Sequence, residues 1–122
     1  MPKILIVDDE KDYRHIVKLV LEPEGYTVIE AKDGKQGLDT LHSENPDLVI
    51  LDLNMPKIDG MTVCKEIRKD KKFKHIPVIM LTVRNLTHDQ IQGLDCGADD
   101  YITKPFVAEE LATRVASLLK CP

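Results

Sequence analysis

The chain has 122 residues, 43% of them hydrophobic and 31% charged, the balance of one globular domain large enough to bury its own core. Seventeen basic and 21 acidic side chains leave a net charge of −4, which speaks against a nucleic-acid surface because phosphate backbones attract basic faces. No apolar run exceeds four residues, so no segment reads as a membrane span.

In chain order the pattern reads as five strand–helix units within a single domain covering 1–122. Met1-Pro2-Lys3 leads directly into a first strand near 3–7, with no signal-peptide pattern. A helix near 11–22 follows and stops at Pro23 and Gly25. The second strand is expected near 27–31, and Asp33-Gly34 opens a helix near 34–44 that Asn45-Pro46 closes. A third strand near 48–52 precedes a helix near 59–70 opened by Asp59-Gly60. The basic stretch from Arg68 to Lys74 reads as a solvated helix C-terminus whose cations suit the helix dipole. A fourth strand near 77–82 leads to a helix near 86–96 ended by Gly97. The last strand lies near 100–103 and the fifth helix near 106–120, with Pro105 suited to its first turn and Leu111, Val115, Leu118 and Leu119 on its apolar stripe.

Strands one, three and four are apolar throughout, as expected when helices cover both faces of a parallel sheet. Strands two and five contain polar residues and belong at the edges. With right-handed crossovers the predicted fold is an α/β, flavodoxin-like, doubly wound parallel sheet of order 2-1-3-4-5 with five helices. Its switch point lies between strands one and three.

Each of four strands delivers a polar residue at its C-terminal end: Asp8-Asp9, Asp52, Thr82, and Lys104 followed by Pro105. In a parallel sheet those ends share one edge, where ligands bind. Singly, each has a plain structural explanation, such as Asp8 or Asp9 capping the first helix. Together they do not. Three carboxylates within about 5 Å repel by about 3 kcal/mol per pair at an effective dielectric near 20. A divalent cation and the Lys104 ammonium would leave the pocket formally neutral, and oxygen donors favour magnesium over zinc.

These residues resemble the receiver domains of two-component response regulators. The resemblance spans essentially the whole chain and rests on Asp8-Asp9-Glu10, the stretch Asp52 to Gly60, Thr82, and Tyr101-Ile102-Thr103-Lys104-Pro105-Phe106. It implies that Asp52 accepts a phosphoryl group from a phosphohistidine on a sensor histidine kinase or a phosphotransfer protein. It implies a Mg²⁺ site formed by Asp9, Asp52 and the Asn54 backbone carbonyl, with Asp8 reaching the ion through water. Lys104 and Thr82 would bind the phosphoryl oxygens, Tyr101 would turn inward on activation, and the Lys104–Pro105 bond would be cis. Such a domain promotes its own phosphorylation and dephosphorylation and is not an enzyme acting on a separate substrate.

Two rival chemistries fail on particular residues. A flavin mononucleotide carrier needs a hydroxyl- and glycine-rich loop after strand one, but Asp8-Asp9-Glu10-Lys11-Asp12 would repel a phosphate. A haloacid-dehalogenase-type phosphatase wants a second Asp two residues after its nucleophile, and Asn54 stands there. A receiver fold kept only for protein interaction would have lost a site residue, and none is lost.

Output is expected through the face of the fourth helix, fifth strand and fifth helix, to an effector or target that the sequence leaves unnamed. Asp99 to Phe106, with Glu110 and Arg114, is similar to receivers of the winged-helix transcription-factor branch, which dimerise on that face. No Lys or Arg lies between Asn85 and Gly97, and Gln90 takes the place of the usual basic partner, so a phosphorylation-dependent homodimer stays open. Neither membrane nor direct nucleic-acid binding is expected. Cys64, Cys96 and Cys121 form no CxxC pair and suit a reduced cytoplasmic setting. His15, His42, His75 and His88 are scattered and take surface or packing roles. Receivers commonly carry a small residue after the strand-four Thr, whereas this chain has Val83 and Arg84. These two are predicted to restrict access to the phosphoryl group and prolong its lifetime, with packing under the fourth helix as the alternative for Val83.

Overall fold

A computed structural model describes residues 1–55, 58–83 and 97–119. Five parallel strands form one sheet in the order β2-β1-β3-β4-β5: β1 (Lys3–Val7), β2 (Thr27–Ala31), β3 (Leu48–Asp52), β4 (Val78–Thr82) and β5 (Asp100–Thr103). Four helices accompany them among the described residues: α1 (Lys11–Leu21), α2 (Gly34–Glu44), α3 (Gly60–Lys69) and α4 (Ala108–Leu119). The expected helix near 86–96 lies outside the described residues, so α4 here is the fifth helix of the sequence reading.

The alternation of strand side chains builds a core on each side of this sheet. Leu5, Val7, Val49, Leu51, Val78 and Met80 face Leu41, Val63, Cys64 and Ile67 of α2 and α3. Ile4, Ile6, Leu48, Ile50, Ile79 and Leu81 face Val17 and Leu21 of α1 and Leu111 and Val115 of α4. β3 and β4 are buried at every position, whereas β2 and β5 are not, which follows from their places at the centre and the edges.

Local signals set most element ends. The Asp33 carboxylate accepts a hydrogen bond from Gln36 N, and that of Asp59 accepts one from Thr62 N, so both act as N-caps. Asn45 (φ 50°) and Gly25 (φ 97°) take left-handed backbone at chain reversals. Pro23 lies in a short 3₁₀ turn, Glu22–Glu24, that ends α1. β4 starts at Val78 and not at 77, because Pro77 has no N–H, although its carbonyl still accepts from Val49 N (3.0 Å). The last helix begins at Ala108 and not at 106, so Pro105 precedes it. Phe106 packs instead against the core between α1 and α4, and the Val107 carbonyl accepts the first helical hydrogen bonds, from Glu110 N and Leu111 N.

Candidate functional site

The pairing register positions the site. Ile6 lies beside Ile50 and Val7 beside Leu51, so one step further brings Asp8 next to Asp52 at the C-terminal ends of the two central strands. Thr82 ends β4 and pairs in register with Thr103, one residue before Lys104. The Lys104 backbone N–H donates to the Thr82 carbonyl at 2.6 Å, which ties the two strand ends together. The Lys104–Pro105 peptide is cis.

Four carboxylates meet at this edge. Asp8, Asp9, Glu10 and Asp52 each place an oxygen within 4.8 Å of the others. Asp8 and Asp52 are 0% and 1% exposed, while Asp9 and Glu10 face solvent. Backbone amides hold the two buried groups. Glu10 N donates to Asp8 Oδ1 (2.8 Å), and Asn54 N to Asp52 Oδ1 (2.9 Å). Asp8 therefore closes a tight turn after β1 and does not cap α1, whose N-cap is Glu10 without a side-chain bond.

Lys104, only 4% exposed, places its Nζ 2.8 Å from Asp8 Oδ2 and 3.5 Å from both Asp52 Oδ2 and Glu10 Oε1. Burial alone would lower its pKa, but the hydrogen bond and charge of Asp8, with Asp52 and Glu10, outweigh burial and raise it. The Asp52 carboxyl is pushed up to about 6, first by burial and then by Asp8, against the opposing Asn54 amide and Lys104. Asp8 Oδ2 is buried, and beyond its ion pair with Lys104 it receives no well-directed hydrogen bond. An all-oxygen set of this kind, with a buried, under-satisfied carboxylate oxygen, fits a hard divalent cation.

The other expected residues fall as follows. Thr82 is 2% exposed at the end of β4. Asn54 is exposed, and its Oδ1 accepts from Val83 N at 3.4 Å. Val83 is 54% exposed, so it faces outward and is not a core residue. Tyr101 is half-buried and packs against the core beneath α2 and α3. Arg84 and Gln90 lie outside the described residues. Asp100 and Arg114 pair within the chain, Nη1 lying 2.8 Å from both carboxylate oxygens.

Three residues escape a reading of the sequence. Tyr13, in the first turn of α1, puts its ring under the Lys104 ammonium, 4.1 Å from Nζ to the ring centroid. Its only signal is its place three residues after Glu10, at helical spacing. Gly60 backs onto Asp52: a Cβ there would fall 2.2 Å from the Asp52 carbonyl oxygen. Arg68 is more than a helix-end cation. Its Nε donates to the Gly97 carbonyl (2.9 Å), its Nη1 to the Lys74 and Ile76 carbonyls (3.1 and 2.6 Å), and its Nη2 to the Gly97 carbonyl and Asp99 Oδ2 (2.7 and 3.0 Å). All five guanidinium donors are thus used.

Residues 4–116 match the family model described as the response regulator receiver domain. The chain belongs to that family. It is 48% identical over 120 residues to the DNA-binding dual master transcriptional regulator RpaA of Synechocystis, covering 98% of this chain and 50% of the relative. It is 44% identical over 118 residues to the alkaline phosphatase synthesis transcriptional regulatory protein PhoP of Bacillus subtilis, covering 97% of this chain and 48% of that protein. The chain therefore spans about half the length of these curated relatives. Among solved structures, a putative response regulator from Chloroflexus aurantiacus superposes with a TM-score of 0.92 at 38% identity, covering 99% of this chain and 100% of that one. The chemotaxis protein CheY4 of Vibrio cholerae superposes with a TM-score of 0.89 at 32% identity, covering 97% and 98%. The receiver is a signalling domain of two-component systems. No described helix is long and apolar enough to cross a membrane.

Proposed function

We propose that Asp52 is the phosphoryl acceptor of this receiver and that the surrounding carboxylates hold Mg²⁺. The supporting observation is the convergence of a buried Asp52 with Asp8, Asp9 and a buried Lys104 at the switch point of the sheet. Asp9, Asp52 and the Asn54 carbonyl would hold the ion, with Asp8 reaching it through water. Bound there, Mg²⁺ would supply charge neutralisation for the phosphoryl oxygens.

The chain's own groups account for the rest. The Asn54 amide holds Asp52 Oδ1, which leaves Oδ2, the oxygen facing Lys104, to attack phosphorus. The P–N bond of the donor phosphohistidine breaks as the new P–O bond forms, and the imidazole leaves with the electron pair. Lys104 exchanges its carboxylate partners for a phosphoryl oxygen, and the Thr82 hydroxyl donates to another. Positioning and charge neutralisation are the main demands of such a transfer. The domain promotes its own phosphorylation and its later hydrolysis, and contacts made only in the phosphorylated state shift its conformation, with Tyr101 turning inward.

The donor partner is a sensor histidine kinase or a phosphotransfer protein. RpaA and PhoP are transcriptional regulators by name and about twice as long as this chain, which supports a gene-regulatory output carried outside a single receiver domain at 1–122. That output would pass through the face of β5, α4 and the helix expected near 86–96, in the cytoplasm, with no nucleic acid bound by the receiver itself. Incubation with Mg²⁺ and acetyl phosphate should add one acid-stable, base-labile phosphoryl group to the wild type and none to Asp52→Asn. Equal incorporation in both proteins would overturn the assignment.

A further inference from the structure

The Lys104 ammonium has three hydrogens and three carboxylate neighbours, but only Asp8 Oδ2, at 2.8 Å, is a close partner. Glu10 Oε1 accepts a long hydrogen bond from Nζ at 3.5 Å and Asp52 Oδ2 stands at the same distance, both too long to fix a flexible four-carbon side chain. The Tyr13 ring also lies against the ammonium, with its centroid 4.1 Å from Nζ. At that distance the negative face of the ring attracts the cation, and it does so more strongly where the cation is buried, as Lys104 is. The ring is itself braced. Phe106, two residues beyond Lys104, packs against Tyr13 with centroids 5.9 Å apart and planes inclined by 50°.

We propose that Tyr13 is a positioning residue for phosphoryl transfer: its ring holds the Lys104 ammonium between Asp8 and Asp52, where the incoming phosphoryl group meets it. This rests on the reading of Asp52 as phosphoacceptor and adds to it a residue outside the carboxylate, hydroxyl and lysine set. A residue that merely filled space at this position would be replaceable by an aliphatic side chain of similar bulk. One that acts through its π face would be replaceable only by another aromatic. The phenol hydroxyl takes no part in the contact, so Phe should serve as well as Tyr.

The test uses the full chain with Tyr13→Phe, Tyr13→Leu, Lys104→Ala and the double variant Tyr13→Leu/Lys104→Ala. In the unmodified protein the Lys104 ε-methylene protons should be shifted upfield by the ring current, a shift kept in Tyr13→Phe and lost in Tyr13→Leu. With acetyl phosphate and Mg²⁺, Tyr13→Leu should slow phosphorylation about 3- to 10-fold, the range an ordinary partly desolvated cation–π contact corresponds to. Tyr13→Phe should restore the rate to within about two-fold, and Tyr13→Leu should add nothing on the Lys104→Ala background. If Tyr13→Leu does not fold, Tyr13→Met takes its place in the same comparison. A folded Leu or Met variant that phosphorylates at the wild-type rate would overturn the inference. So would an aliphatic substitution whose effect is undiminished without Lys104. Absence of any incorporation in the wild type would instead strike the Asp52 reading, and this inference with it.

Discussion

Gly60 lies so close to Asp52 that a Cβ on it would stand 2.2 Å from the Asp52 carbonyl oxygen and 2.8 Å from its carbonyl carbon. The first turn of α3 is thus pressed directly against the strand end that carries the candidate acceptor. The obstacle is backbone and not the tip of a flexible side chain, so it cannot simply rotate away.

Gly60→Ala should therefore move β3 or the start of α3. Overpacking of this kind costs about 1–3 kcal/mol, which in a domain of this size lowers Tm by roughly 5–15 °C. Phosphorylation by acetyl phosphate should fall as well, because the Asp52 carboxylate follows its backbone. An Ala variant with unchanged melting would show that the approach is not close in solution.

The crowded carboxylates should make stability depend on metal and pH. Mg²⁺ at about ten times its Kd should contribute about 1.4 kcal/mol by mass action, raising Tm by roughly 5 °C, and Asp9→Asn should blunt this response. The Asp52 carboxyl is pushed up to about 6, chiefly by burial, so the folded state binds its proton more tightly than the unfolded chain does. Its contribution to stability is therefore present below the ordinary carboxylate pKa and is lost as pH rises through about 6. Metal-free wild type should lose stability over that interval relative to Asp52→Asn. Parallel melting profiles of the two proteins, with and without chelator, would contradict the account.

Val83 offers a test of phosphoryl lifetime. It is 54% exposed, and its amide donates to Asn54 Oδ1 at 3.4 Å. A branched side chain there is stiff at χ1 and adds bulk where water would approach. Val83→Ala should shorten the phosphorylated state several-fold once the donor is removed. An unchanged decay rate would mean that Val83 does not shield.

His42 supplies a signal that needs no phosphorylation. Its Nδ1 lies 2.9 Å from the Leu38 carbonyl and its Nε2 2.5 Å from Asp70 Oδ2, so both ring nitrogens face acceptors. Only the doubly protonated ring satisfies both. Its pKa is accordingly raised, first by the Leu38 carbonyl and then by Asp70, while that of Asp70 is lowered, first by His42. The pair's contribution is present above the ordinary Asp pKa and fades as pH rises through the His42 pKa in the fold. NMR titration should place His42 above the ordinary histidine value, and Asp70→Asn should bring it down while leaving part of the shift from Leu38. No change in Asp70→Asn would show the contact to be absent in solution.

The strand order, the buried central strands and the meeting of Asp8, Asp52, Thr82 and Lys104 at one edge were all legible in the residues. They depend on period-two apolar runs, on caps such as Asp33 and Asp59, and on a topology with few alternatives, each written locally along the chain. The start of the last helix was not legible, because Phe106 packs against a core whose other members are distant in sequence. The same holds for the Tyr13 ring beneath Lys104, the Arg68 guanidinium shared among the carbonyls of Lys74, Ile76 and Gly97, the meeting of His42 with Asp70, and the pressing of Gly60 on Asp52. Local chemistry determines which groups reach the edge of the sheet. Only packing between segments far apart in the chain decides which of them touch, because long side chains such as Lys104 and Arg68 take their rotamers from the surroundings they meet after folding.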